Sequence, residues 1–273
     1  MARGLNRVTL IGALTQTPEL RYTPGGLAVL ELNLAGNDLF TDEQGQPREV
    51  PWYHRVKLLG RMAEFWNEGL KAGMAVFVDG RLEYRTWEQE GQKRSSLEIR
   101  AERVEALNLE GKPNPTLTDA RGQERLREGL NMVMLVGNLT RDAELRYTPQ
   151  GIAVARLGLA VNERYSTRQG GEQEKTHFIE AQAWRELAEY ASELKEGEGV
   201  FFLGRLVNDS WTAQDGSKRY VTRVELSRLE RLARGTARSG GGGSQSAKAD
   251  GRAGKVDIDE GLEDFPPEEE LPF

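Results

Sequence analysis

Residues 6–37 of the chain, NRVTLIGALTQTPELRYTPGGLAVLELNLAGN, occur a second time at residues 131–162 as NMVMLVGNLTRDAELRYTPQGIAVARLGLAVN. The two stretches match at 19 of 32 positions, with an offset of 125 residues. Weaker matches continue downstream, where Gly80-Arg81-Leu82 corresponds to Gly204-Arg205-Leu206. This period is much longer than the ~20–50 residues of solenoid repeats, so it indicates a duplicated domain.

Each copy alternates apolar and polar residues with the period of two that predicts half-buried strands. One segment per copy has the spacing of a helix face instead, at Met62, Phe65, Trp66 and Leu70, and at Leu187, Tyr190, Ala191 and Leu194. Gly73 and Gly197 are expected to end those helices. Three strands, a helix and two strands form the order of an OB-fold. We therefore predict an all-β chain with minor α structure: two tandem five-stranded OB-fold barrels followed by a disordered acidic tail.

The composition divides the chain of 273 residues into five segments, which are OB-fold 1 (1–107), a connector (108–129), OB-fold 2 (130–234), a flexible Gly/Ser linker (235–255) and an acidic tail (256–273). Pro113 and Pro115 interrupt the polar connector, which is expected to lie on the surface. The linker should have a root-mean-square reach of ~25 Å.

Composition and charge exclude several function classes. Cysteine is absent and only His54 and His177 are present, which excludes disulfides, thiol catalysis and Cys-based metal sites. The tail carries eight acidic residues and no Lys or Arg, so removing it from the net charge of −6 leaves +2 for residues 1–255. No apolar run approaches the ~18 residues of a membrane span, and no signal peptide is evident. We expect a soluble cytoplasmic protein.

Aromatic residues next to cations recur around the predicted loop mouths of both copies. A base stacks on such a ring with ~1–3 kcal/mol whatever its identity, while the cation neutralises phosphate. The candidate rings are Phe40, Trp52, Tyr53, Trp87, Tyr165, Phe178, Trp184 and Trp211. The candidate cations are Arg55, Arg61, Lys71, Arg85, Lys93, Arg94, Arg164, Arg168, Arg185, Arg205, Lys218 and Arg219. The alternative is that the rings are core residues and the cations a solvated rim. We expect Trp66 to be core, and Tyr22 and Tyr147 to pack against turns.

The sequence contains no GxxxxGK[ST] phosphate loop and no HExxH motif. His54 is replaced by Ile179 in the second copy, which argues against a shared catalytic histidine. Two alternatives to DNA binding stay open at this point. One is a duplicated scaffold that binds proteins, and the other is a metal-dependent nuclease.

The C-terminus combines charge with apolar residues. The segment consists of Glu268, Glu269, Glu270, Leu271, Pro272 and Phe273. A purely solubilising tail has no need of a terminal Phe, whereas a docking peptide uses one to enter a pocket while the acidic residues steer the encounter. We favour docking over an inert tail.

Residues 6–37, the strand at Tyr53-His54-Arg55-Val56, the segment 80–87 and the acidic Leu-Pro-Phe end resemble bacterial single-stranded DNA-binding proteins, in the form with two OB-folds per chain. The resemblance implies a homodimer with four OB-folds, no catalysis, no cofactor and no metal. It also implies a C-terminal tip that recruits replication, recombination and repair proteins. By position, it assigns DNA stacking to Phe40, Tyr53, Leu59, Trp87, Tyr165, Phe178, Trp184 and Trp211. Leu59 departs from the family, which has an aromatic residue there, so the two copies are expected to contribute unequally.

Overall fold

The computed structural model describes residues 4–41, 45–89, 92–111, 115–166, 172–212 and 218–232. The first repeat consists of β1 (Leu5–Leu14), β2 (Leu20–Tyr22), β3 (Ala28–Thr41), β4 (Pro47–Leu59), α1 (Arg61–Trp66), β5 (Ala75–Gln89) and β6 (Gln92–Ala106). The connector contributes β7 (Thr116–Thr118) and β8 (Glu124–Leu126). The second repeat consists of β9 (Leu130–Leu139), β10 (Glu144–Tyr147), β11 (Ala153–Ser166), β12 (Glu172–Trp184), α2 (Arg185–Ala191), β13 (Gly199–Thr212) and β14 (Lys218–Arg231).

Each repeat forms a barrel whose inner face is apolar. Val8 and Leu10 of β1 are fully buried, whereas their neighbours Arg7 and Thr9 are half-buried on the other face. β1 pairs antiparallel with β3 and β5, and a short parallel pairing of β4 with β6 closes the first barrel. The corresponding pairings of β9, β11, β12, β13 and β14 close the second. The predicted fold of two tandem OB-fold barrels is confirmed.

The two barrels are joined edge to edge. β1 pairs antiparallel with β9 from Leu5 opposite Val136 to Ile11 opposite Leu130, which makes one continuous 14-stranded sheet. Asn6 and Asn131 occupy equivalent places on these strands. The side chain of Asn6 both donates to the carbonyl of Leu82 and accepts from its N–H, at 2.8 and 2.9 Å, and Asn131 does the same with Leu206.

Both helices are shorter than the sequence pattern predicts. α1 ends at Trp66 and leaves Phe65 75% exposed, so Phe65 does not share the buried face of Ala63. The helix ends well before Gly73. That glycine instead adopts a φ of +82° and donates its N–H to the carbonyl of Leu14, in the turn that leads to β5. A side chain rarely tolerates that backbone conformation, which explains the glycine without a helix end.

A short edge strand in each repeat, β2 or β10, contains a tyrosine that we had expected to pack against a turn. Tyr22 is 60% exposed and Tyr147 is 57% exposed, so that expectation is wrong. Trp66, by contrast, packs against the core while remaining partly exposed.

The connector is more than a surface link. β7 and β8 form a hairpin, and β8 pairs in parallel with β3 where Leu126 lies opposite Gly36. Leu126 is 4% exposed and packs with Ala13 and Ala75. The hairpin therefore belongs to the wall of the first barrel. In the ranges described above, no helix is long and apolar enough to cross a membrane.

Candidate nucleic-acid interface

In the first OB-fold, candidate binding residues lie on the outer face of β4. Side chains alternate along this strand, and Val56 and Leu58 point into the barrel with no exposure. The opposite face therefore carries Tyr53, Arg55, Lys57 and Leu59. Tyr53 is 37% exposed and Leu59 is half-buried.

The equivalent face of β12 in the second OB-fold carries different side chains. Phe178 and Trp184 take the positions of Tyr53 and Leu59, and both are half-buried. Between them, Glu180 and Gln182 replace the two cations of β4. Glu180 binds Arg141, with both carboxylate oxygens 3.1 Å from Nη2, and burial raises the pKa of Glu180 even so. The first face is rich in cations and the second is rich in rings.

Trp52 does not lie on either face. The side chain is 5% exposed and fills a space left by Gly12, Gly36 and Gly129, since a Cβ built on Gly36 would stand 2.5 Å from its Cζ2. Its ring also stacks on His54, with 5.3 Å between centroids. The expectation that Trp52 stacks on DNA is wrong, because protein atoms cover the ring.

The candidate cations differ in how far they are exposed and in how closely carboxylates approach them. The Arg55 side chain is 76% exposed and that of Arg85 is 56% exposed, while Arg61, Lys71 and Arg185 are also exposed. Arg61 and Arg185 begin the helices that follow β4 and β12. Arg205 differs, because its guanidinium binds Asp38 at 3.1 Å and Glu225 at 2.7 Å. The expectation of a phosphate contact at Arg205 is therefore replaced by an ion pair between the two OB-folds.

Several predicted residues lie outside the side chains that the structure describes. These are Phe40, Trp87, Lys93, Arg94, Arg164, Tyr165, Arg168, Trp211, Lys218 and Arg219. The predicted Gly/Ser linker (235–255) and the predicted docking segment 268–273 also lie outside the described residues.

The connector hairpin contacts Tyr53, and no pattern in the sequence predicts this contact. The Tyr53 hydroxyl donates to Oδ2 of Asp119 at 2.9 Å and accepts from Nη1 of Arg125 at 3.2 Å. Asp119 also accepts the N–H groups of Arg121 and Gln123, and the bond from Gln123 is the main cause that lowers the pKa of this carboxyl. The tip of the first face therefore contacts a hydrogen-bonded turn of the connector through the Tyr53 hydroxyl.

At the tip of the second face, the first OB-fold contributes Tyr84. Its ring lies edge-on to Phe178, with 6.4 Å between centroids and an angle of 85°. Sequence analysis missed Tyr84 because its counterpart in the second repeat is Asn208, so the aromatic residue does not recur. Recurrence was the signal on which the candidate rings were chosen.

The described ranges contain no cluster of metal-ligating side chains. No group of three or more His, Cys, Asp or Glu side chains there is placed to hold a metal ion. His54 is 5% exposed, and burial lowers its pKa to about 4, so the ring is neutral at pH 7. Its Nε2 lies 3.3 Å from the Asn131 amide, in the interface between the barrels.

Comparison with known proteins gives a consistent result. The model of the single-strand binding protein family matches residues 5–107 and again residues 130–232. The single-stranded DNA-binding protein of Thermus aquaticus is 63% identical over 273 residues, with both chains covered completely. That of Deinococcus radiodurans is 48% identical over 304 residues, again with complete coverage of both.

Solved structures agree with the sequence relatives. The crystal structure of the wild-type single-stranded DNA binding protein from Thermus aquaticus superimposes with a TM-score of 0.70 and 56% identity, over 88% of this chain and 98% of the other. A deletion mutant of the same protein gives a TM-score of 0.69 over 88% of this chain and 100% of the other. With two matched repeats and full-length relatives, this chain belongs to the single-strand binding protein family.

Proposed function

We propose that this chain coats single-stranded DNA without sequence preference, through the outer faces of β4 and β12 and the hairpins beyond them. The observation that carries the proposal is the recurrence of partly exposed side chains at equivalent places: Tyr53 in one barrel, and Phe178 with Trp184 in the other. Rings of this kind accept any base, because every base has a π-face. The proteins that resemble this chain along its full length are named for the same activity.

Phosphate neutralisation is assigned to exposed cations near these faces. Arg55 lies two residues from Tyr53 on the same face, and its Nε is 3.9 Å from Oε1 of Glu31. Lys57 is engaged more closely, at 2.6 Å from Glu98. Arg55 is therefore the cation of this face that can turn to a phosphate at least cost. The candidate residues of the β5–β6 and β13–β14 hairpins, including Trp87 and Trp211, remain part of the proposal.

The proposed assembly is a homodimer with four OB-folds. The outer face of the central sheet supports this arrangement, since it presents the half-buried apolar side chains of Ile11, Phe77, Met134, Val136, Phe201 and Leu203. They lie on neighbouring strands of one continuous surface, across the junction of β1 with β9. A second copy could cover this apolar surface.

The C-terminal residues 268–273 are proposed to dock partner proteins of replication, recombination and repair. The terminal Phe273 and its carboxylate suit a basic pocket with an apolar floor, and the linker before them supplies reach. The competing function, a protein-binding scaffold for which DNA is incidental, uses the same tail. Variants of the proposed DNA-binding faces therefore discriminate between DNA binding and the scaffold function.

A fluorescence anisotropy titration with a labelled dT oligonucleotide tests the main proposal. Binding should be tight at low salt and should weaken steeply as salt rises, because each phosphate contact releases counterions. An oligonucleotide of mixed sequence should bind with similar affinity, and a blunt duplex much more weakly. Absence of binding at low salt, or equal binding to the duplex, would contradict the proposal.

The double variant Trp87→Ala with Trp211→Ala tests the scaffold alternative. Strand affinity should drop if the rings stack on bases and stay flat if DNA is incidental. For the tail, deletion of residues 271–273 should abolish capture of partner enzymes while strand affinity is retained. Capture that survives the deletion would refute docking through the tip.

A further inference from the structure

The β5–β6 hairpin of the first OB-fold contacts β12 of the second OB-fold at Tyr84. The backbone N–H of Tyr84 lies 3.4 Å from Nδ1 of His177, and the Tyr84 ring meets the ring of Phe178 at a right angle. His177 and Phe178 are successive residues of β12. The contact between the two OB-folds at this place therefore involves both the backbone and the side chain of Tyr84.

A hydrogen-bonded network holds Tyr84 there. Nε2 of His177 lies 3.2 Å from Oε2 of Glu163, and the other oxygen of Glu163 lies 2.6 Å from Nη1 of Arg81, on the same strand as Tyr84. Burial lowers the pKa of His177, so the ring is neutral at pH 7. Nδ1 then accepts from Tyr84, and the proton on Nε2 is donated to Glu163. Each side chain of the network fixes the next, and the network starts and ends on β5.

The equivalent junction at the other barrel contains no such ring. Asn208 takes the place of Tyr84, and its amide contacts the carbonyl of Tyr53 and Nδ1 of His54. The ion pair does recur, as Arg205 with Asp38. The ion pair is therefore common to both junctions, and it requires no aromatic residue at position 84.

The surroundings of Tyr84 are those of a surface site and not of a core. Tyr84 and Phe178 are both half-buried, and the neighbouring Arg85 has a side chain that is 56% exposed. Lys175, two residues before His177, is also exposed, and its charge acts on both His177 and Glu83. Two partly open rings that meet at the surface form a place where a base can stack.

We propose that Tyr84 of the first OB-fold and Phe178 of the second form one composite stacking site, which takes a nucleobase of single-stranded DNA where the strand passes between the two OB-folds. The inference rests on the proposed function and extends it, because the site is incomplete in either OB-fold alone. The junction at Asn208 has no equivalent capacity. A DNA strand that crosses between the OB-folds at Tyr84 therefore meets a stacking site that the junction at Asn208 lacks.

Four variants of the full-length chain test the composite site by anisotropy titration with a labelled dT oligonucleotide. Tyr84→Ala should weaken binding about tenfold, within the range for one stacked base. Tyr84→Leu, which keeps an apolar side chain but no ring, should weaken it as much, whereas Tyr84→Phe should bind as the parent does. The matched control Asn208→Ala changes the equivalent residue of the other junction and should leave affinity unchanged.

The double variant Tyr84→Ala with Phe178→Ala tests whether the two rings contribute to DNA affinity independently. If both rings hold one base, the loss in the double variant should be clearly smaller than the product of the two single losses. Independent losses that multiply would overturn the composite site. So would parent-like binding of Tyr84→Leu, since packing would then explain the residue.

The failure of the inference and the failure of the proposed function give different results. If Phe178→Ala weakens binding and Tyr84→Ala does not, the composite site is rejected while DNA binding through β12 stands. If the parent chain does not bind the oligonucleotide at low salt, the proposed function itself fails.

Discussion

The outer faces of β4 and β12 descend from the same repeated segment and present opposite chemistry. On β4, Arg55 and Lys57 stand between Tyr53 and Leu59. On β12, the same positions are Glu180 and Gln182, between Phe178 and Trp184. Duplication has left cations on one face and rings on the other, and the proposed function assigns phosphates to the first and bases to the second. A protein with one OB-fold per chain must provide both on every copy.

The neighbours of the two faces increase the difference. The connector hairpin places the carboxylate of Asp119 against Tyr53, next to the tip of the cationic face. At the other tip, Tyr84 adds a third ring to the pair on β12. The hydroxyl of Tyr53, the single ring of the first face, is thus hydrogen-bonded to the connector. The second face instead gains the ring of Tyr84 from the first OB-fold.

The largest expected effect concerns stability at the site where Trp52 faces Gly36 in one barrel and His177 faces Val161 in the other. Trp52→Ala should lower the free energy of unfolding by about 3–5 kcal/mol, because it leaves a cavity between glycine backbones that cannot close it. Gly36→Val should also lower the free energy of unfolding, because the added side chain would collide with the Trp52 ring. The double variant Gly36→Val with Trp52→His should recover part of that loss, since it recreates the Val161–His177 pair of the second barrel. Chemical denaturation measures all three. A neutral Trp52→Ala would show that the ring is not core.

The next largest expected effect is on the pH dependence of the free energy of unfolding. It comes from His54 of the first barrel alone, since the counterpart of His54 in the second barrel is Ile179. The folded pKa of His54, about 4, lies below its ordinary value of 6.5, so the unfolded chain binds the proton more readily. The stability contributed by neutral His54 is complete above pH 6.5 and is lost as the pH falls towards 4, by up to about 3 kcal/mol.

His54→Gln supplies the comparison for this pH effect. The variant keeps a polar side chain near Asn131 but cannot titrate, so its stability should fall less between pH 6.5 and 4.5. The other acid-sensitive groups, among them the buried carboxyls of Asp38 and Glu180, are the same in both proteins and cancel in the difference. Parallel curves for parent and variant would contradict the assignment.

The smallest expected effects are on DNA affinity and on its salt dependence. They test whether the β4 face contributes charge and the β12 face contributes stacking. Arg55→Ala should reduce the slope of log affinity against log salt by about 0.7, the value for one phosphate of a single strand. Trp184→Ala should weaken binding about tenfold with the slope unchanged, since stacking releases no counterions. Titrations with a dT oligonucleotide at several salt concentrations measure both. A change of slope in Trp184→Ala and none in Arg55→Ala would reverse the roles assigned to the two faces.

The duplicated OB-fold was predictable from sequence because strand alternation and a repeat of 19 matches in 32 positions survive in the chain itself. The same information places Tyr53 and Phe178 on equivalent outer faces. The pattern did not reveal the burial of Trp52, which depends on three glycines from separate segments. The compensating change of Gly36 to Val161 was nevertheless visible in the sequence.

Contacts between the barrels were the least predictable feature. Arg205 has the appearance of a surface cation until Asp38 of the other barrel is brought to it. The connector is polar and interrupted by proline, yet one buried side chain, Leu126, attaches it to the first barrel. Such contacts join residues far apart in the chain, and neither periodicity nor local composition records them. Tyr84 was not predicted for a related reason, since its counterpart in the second repeat, Asn208, is not aromatic and its contact with Phe178 depends on the packing of the two barrels.

Two full-length variants that each retain a single tryptophan provide the most direct test of the central claim, that outer-face rings take bases while Trp52 remains in the core. One retains Trp184 and the other Trp52, with the remaining tryptophans changed to Phe. On titration with poly(dT), fluorescence should be quenched strongly in the Trp184 protein and should hardly change in the Trp52 protein. Quenching of Trp52 together with unchanged emission from Trp184 would contradict the account.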